Sequence, residues 1–161
     1  MCKVFARKLL YLHKIRLKIS IERDFLAKMS RFKTVVSSKF EELWRYNIVV
    51  ICELCDKEGS RLEYKAEKDN IAPVGSNLTA APEGYNTHRN IVLECGDGDH
   101  INLLVYIIPN TLPLTNDIHD TESFPLMIKV EADGEVLLNR VYNINQWSGE
   151  NITIQKLGAK E

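Results

Sequence analysis

No run of about 18 or more apolar residues occurs in this 161-residue sequence, so it holds no segment able to cross a bilayer as a helix. Proline and glycine are scarce, at 5 and 8 residues, which excludes collagen-like and low-complexity chains. Catalytic and nucleotide-binding frames are missing too: there is no Gly-x-Ser-x-Gly elbow, no phosphate loop, no Gly-x-Gly-x-x-Gly and no His-Glu-x-x-His. That absence points away from an enzyme, although triads built from distant residues need no local motif. What is present is a core. Hydrophobic residues make up 45% of the chain, too many for a disordered composition. A chain of this size buries roughly 70% of its extended surface.

The formal net charge of −1 hides an asymmetry. Residues 1–46 carry twelve Lys or Arg against four acids, leaving +8, while the remaining nine bases and eighteen acids give −9. Such a split suits a basic segment that meets an acidic surface: its own C-terminal part, another copy, a membrane or a nucleic acid. The plainer reading is a solvated basic face folded onto its own acidic partner. Met1 to Ser20 contains no acid, but it lacks a clean apolar stretch before a small-residue cleavage site. A secretory signal is therefore not evident, and the cytoplasm is the default location. Met29 could serve as an alternative start.

Two periodicities follow one another in the basic segment. From Lys14 to Glu22, Ile15, Leu17, Ile19 and Ile21 alternate with Lys14, Arg16, Lys18 and Ser20, the pattern of a half-buried strand over 14–22. A basic helix over Lys3 to Ile19 is the competing reading, and residues 1–11 stay open. From Asp24 the spacing changes. Phe25, Met29, Phe32, Val36, Phe40 and Leu43 recur every three or four residues, which predicts one amphipathic helix over 24–45 with Asp24 as its N-cap.

Beyond Tyr46 the sequence reads as β structure. Seven short runs rich in Val, Ile, Leu and Tyr (47–54, 61–67, 90–95, 100–108, 125–131, 135–144 and 151–157) are bounded by Gly, Asn, Asp or Pro. They predict a mainly β (α+β) fold: an acidic antiparallel β-sandwich of about seven strands over 47–161, preceded by the basic strand and the helix of segment 1–46. Strands of this kind recur in immunoglobulin-like, jelly-roll and other sandwiches, a likeness of architecture only. Tight hairpins are expected at Lys57–Ser60, Gly96–Asp99 and Ala132–Gly134. Two long connections, 68–89 and 109–124, are where a sandwich would carry binding residues.

Four cysteines supply the strongest hint of chemistry. Cys52 and Cys55 form one Cys-x-x-Cys, and His100 follows Cys95 by five residues, so Cys52, Cys55, Cys95 and His100 could hold zinc if two turns came together. Against this, only one Cys-x-x-Cys is present, and Cys52 sits in a run that reads as a buried strand, where a free Cys is ordinary core. A disulfide needs an oxidising compartment. The loop acids Asp117, Asp120 and Glu122 lack a calcium-loop frame. Trp147, with Tyr142 and Tyr106, could make a sugar platform, although such a Trp is more often a core plug.

These observations lead to a non-enzymatic interaction or assembly module as the expected function. Its basic segment, through Arg7, Lys14, Arg16 and Lys18, engages an acidic partner surface or a neighbouring copy. No cofactor is required, zinc aside. A protein partner or homo-oligomer is the expected partner, and nucleic acid is the weaker candidate because the Phe residues are committed to the helical stripe. The alternative is a sandwich binding carbohydrate or a metal ion through loops 68–89 and 109–124.

Overall fold

The computed structural model describes residues 29–86, 90–114 and 117–158. The strand expected over 14–22, and with it Arg7, Lys14, Arg16 and Lys18, lies outside the described residues. Eight strands are formed among the described residues: β1 (Ser30–Ser37), β2 (Tyr46–Cys55), β3 (Arg61–Asp69), β4 (Asn90–Gly98), β5 (His100–Pro109), β6 (Phe124–Ala132), β7 (Glu135–Ile144) and β8 (Glu150–Gly158). They make two four-stranded antiparallel sheets, ordered β4-β1-β6-β7 and β3-β2-β5-β8.

All seven strands expected after Tyr46 are present, extended by at most three residues at an end. Their alternation is what builds the core. Ile48, Val50, Cys52 and Leu54 of β2 point inward against Ile101, Leu103, Val105 and Ile107 of β5, and Leu126, Ile128 and Val130 of β6 close from the facing sheet. Each of these side chains is at most 2% exposed. Burial of each is worth about 1.5–3 kcal/mol, and together these residues hold the two layers face to face.

The helix expected over 24–45 is not formed in the described residues. Ser30–Ser37 is instead a strand, interior to its sheet between β4 and β6, and only Leu43–Arg45 makes a short 3-10 turn. The reason lies in a degenerate spacing. Phe32 and Val36 are four apart, and four fits a helix of period 3.6 and a strand of period 2 alike. Intervening residues decide the matter: Phe32, Thr34 and Val36 are buried at 1–2% exposure while Arg31 and Lys33 are exposed. The β-branched run Thr34-Val35-Val36 is also stiff in the way a pleated sheet prefers. Among the described residues the sandwich therefore already includes Ser30–Ser37, part of the basic segment.

Two of the three expected hairpins are present. Lys57–Ser60 joins β2 to β3, with Gly59 at φ 84° and the Asp56 carboxylate accepting from the Ser60 amide at 2.7 Å. Asp133 and Gly134, at φ 50° and 86°, make the tight turn between β6 and β7. The third is not a hairpin. β4 and β5 belong to different sheets, so the chain crosses from one layer to the other at Asp99, whose amide donates to the Cys55 carbonyl at 2.9 Å. A Cβ on Gly98 would lie 2.5 Å from Leu54 Cδ1, so this crossing depends on a residue without a side chain.

Candidate functional site

The residues singled out as zinc ligands are placed two by two. Alternation along β2 turns Cys52 into the core, where its Sγ meets Cys95 Sγ of β4 in the opposite sheet at 3.1 Å. Cys55, beyond a bulge at Leu54/Cys55, is the cross-strand partner of His100 and accepts from Asn102 Nδ2 at 3.7 Å. His100 Nδ1 lies 3.0 Å from Asp99 Oδ2. Residues three apart in a strand stand roughly 10 Å apart along it, so Cys52 and Cys55 do not share a turn. Among the described residues no three His, Cys, Asp or Glu side chains gather as a metal would need. The hydrogen bond shared with Cys95, and then burial, pushes the Cys52 thiol up from its ordinary range. Burial does the same to Cys55.

Edge strands β3 and β4 of the two sheets are clamped together on either side of Cys95. Lys65 Nζ donates to the Glu94 carbonyl at 2.6 Å, and the Gly96 amide donates to Glu63 Oε2 at 2.8 Å. Lys65 and Glu63 also pair with each other at 3.0 Å. The Gly96 amide, and then Lys65, holds the Glu63 carboxyl below its usual range.

At the opposite end of the sandwich lies a polar network that no sequence pattern announced. Arg45 is fully buried; it pairs with Glu42 and donates to Gln146 Oε1 at 3.0 Å. Tyr46, also fully buried, donates to the Gln146 carbonyl at 2.8 Å, and burial pushes its phenol up to about 12. Nearby, Asn47 accepts from the Ile71 amide and donates to the Ala72 carbonyl, while Asn110 donates to the Trp44 carbonyl and to Asn47. Thr111 donates to Ser76 at 3.2 Å. These bonds pin the roots of both long loops to the start of β2 and the end of β5. Glu42, three residues before Arg45, is the one local partner in sequence, and spacing alone does not show that Arg45 is buried.

The aromatic residues suggested as a sugar platform do not line one face. Tyr142 opposes Leu126 on the inner side of its sheet, beneath the Arg140 guanidinium at 5.0 Å. Tyr106 lies between buried Val105 and Ile107 and so points outward from the other sheet. Trp147 is half-buried in the turn before β8, where the Asn145 side chain caps the Trp147 and Ser148 amides.

The outer face of the sheet containing β1 carries an apolar groove. This groove of about 360 Å3 is lined by Pro125, Met127 and Val141 together with Ser37, Ser38, Asn90 and one charged residue, Lys39. Val141 is 58% exposed, and Val136 of the same strand 53%. β7 pairs with β6 and has no strand on its other side among the described residues.

No protein-family profile matches the chain, and no curated protein matches it significantly. Among solved structures it is similar to the crystal structure of a DUF4425 family protein from Bacteroides ovatus, with 14% identity, 79% of this chain and 92% of that chain covered, and a TM-score of 0.35. No helix among the described residues is long and apolar enough to cross a membrane.

Proposed function

We propose that the chain is a non-enzymatic assembly module, in which the basic N-terminal segment of one copy adds as an extended strand to the β7 edge of a neighbouring copy. The observation that carries this reading is the β7 edge itself. Proteins blunt exposed edges with short strands, proline, inward charges or bulges. β7 has a bulge in its pairing with β6 and Arg140 on its inner side, but it runs for ten residues without proline and exposes Val136 and Val141, the latter lining an apolar groove. An edge of this kind takes an extended peptide through its free backbone groups, with alternate side chains supplying specificity.

The segment 14–22 has the matching pattern, Ile15, Leu17, Ile19 and Ile21 on one side and Lys14, Arg16 and Lys18 on the other. Charge favours the union. Residues 1–28 carry eight bases against two acids, whereas 29–161 carry thirteen bases against twenty acids.

Light scattering on the full chain tests the proposal. An oligomer at low salt is expected, dissociating in high salt, in the variant K14E/R16E/K18E, and in Val141→Lys. A wild-type chain that stays monomeric at every concentration and salt would overturn it. So would a monomer in which residues 14–22 protect the β7 amides of their own chain from hydrogen exchange.

A further inference from the structure

We infer that Cys52 and Cys95 form a reversible disulfide that ties the two sheets together through the core. The two sulfurs already stand 3.1 Å apart on facing strands of opposite layers, with Cys52 at 0% and Cys95 at 5% exposure. Closing them to a bond length of about 2.05 Å needs about 1 Å of movement. The Glu63–Lys65 clamp holds the backbone of Glu94 and Gly96, the two neighbours of Cys95, against β3, which pairs with β2 at Cys52 through Lys65. The pair is thus positioned from both sides.

The competing partner is excluded by strand geometry. Cys55 is three residues along the same extended strand from Cys52, roughly 10 Å away, beyond the reach of a disulfide. A low-molecular-weight disulfide such as oxidised glutathione completes the chemistry. One thiolate attacks a glutathione sulfur and releases a glutathione thiolate, and the second thiolate then displaces the other glutathione to form the Cys52–Cys95 bond. Two electrons pass from the protein thiols to glutathione, and the two protons end on two molecules of reduced glutathione. Because both sulfurs are buried, bonding takes place before the layers close or during their transient opening, and the closed sandwich then shields the bond from reductant.

The bond would close a loop between residues 43 apart in sequence. That separation predicts a melting temperature about 10 °C higher for the oxidised protein. The full chain, equilibrated with oxidised and reduced glutathione, is unfolded in guanidinium with N-ethylmaleimide and weighed. The expected product carries label only on Cys2 and Cys55, is lighter by the two hydrogens lost, and yields a linked peptide pair containing Cys52 and Cys95. The double variant Cys2→Ser, Cys55→Ser should keep both the linkage and the redox-dependent melting shift, so failure of a core Cys52→Ser variant to fold leaves the test intact. Labelling of all four cysteines after equilibration with excess oxidised glutathione, or linkage through Cys2 or Cys55, would overturn the inference.

Discussion

Arg45 is costly to place, a fully buried cation immediately before β2. Its charge is met by Glu42 and Gln146, but its Nε finds no hydrogen-bond partner among the described residues. Removing either member of a buried pair costs more than the pair contributes, and the cost depends on what is left behind. In Arg45→Met the orphan is Glu42, whose side chain is 31% exposed and reaches water, so a loss of about 2–3 kcal/mol is expected. In Glu42→Leu the orphan is the buried guanidinium, and the loss should be larger, about 3–5 kcal/mol. Urea unfolding of the two variants checks the order; equal losses would mean that the pair is solvated. Tyr46 adds a pH dependence. Its folded pKa of about 12 lies above the ordinary 10.0, so the fold favours the neutral phenol. Stability is fully present below pH 10 and falls as pH rises toward 12, by up to about 2–3 kcal/mol. Tyr85, also pushed up to about 12 by burial, contributes to the same decline. Tyr46→Phe should lose about 1 kcal/mol at neutral pH with its hydrogen bond to Gln146, yet unfold less steeply with alkali.

At the scale of the element, turns and strand ends decide how the layers meet. Gly149 has φ 67°, and a Cβ there would stand 1.9 Å from the Ile107 carbonyl oxygen, so backbone would have to move. Gly134, at φ 86°, has nothing within 4 Å. Gly134→Ala should therefore cost only the left-handed strain, about 1–2 kcal/mol. Gly149→Ala should cost clearly more and separate β8 from β5, which thermal melts of the two variants will rank. Strands were legible as short runs rich in Val, Ile and Leu bounded by turn residues, as in β2 and β5, or as near-alternation of apolar and polar residues, as in β6. β1 was not, since its two largest apolar residues, Phe32 and Val36, sit at a spacing that both periods share. Nor could Gly96–Asp99 be told from a hairpin, because glycine and aspartate suit any sharp reversal. Whether the next strand returns to the same sheet or crosses to the other depends on partners far away in sequence.

For the whole molecule, the charge division and the open β7 edge together predict an association that salt weakens. Surface charge attraction is screened within about 8 Å at physiological ionic strength, while an apolar contact of the proposed kind at Val141 and Met127 would not be. Raising salt from about 0.05 to 0.5 M should therefore slow association more than it speeds dissociation, a division that stopped-flow mixing can measure. An oligomer with salt-indifferent association kinetics would place the union on apolar contact alone. Composition and the spacing of β-rich runs and turn residues by themselves determined that the chain is a β-sandwich, where seven of its strands run, and that residues 1–46 and the remainder carry opposite net charge, since each of these is a local or additive property of residues. Only the tertiary structure decided that residues 30–37 are an interior strand, that Cys52 meets Cys95, that Arg45 is buried and that β7 is an edge strand among the described residues. Each of these depends on which strands become neighbours, and pairing is a choice among distant segments that no local pattern encodes.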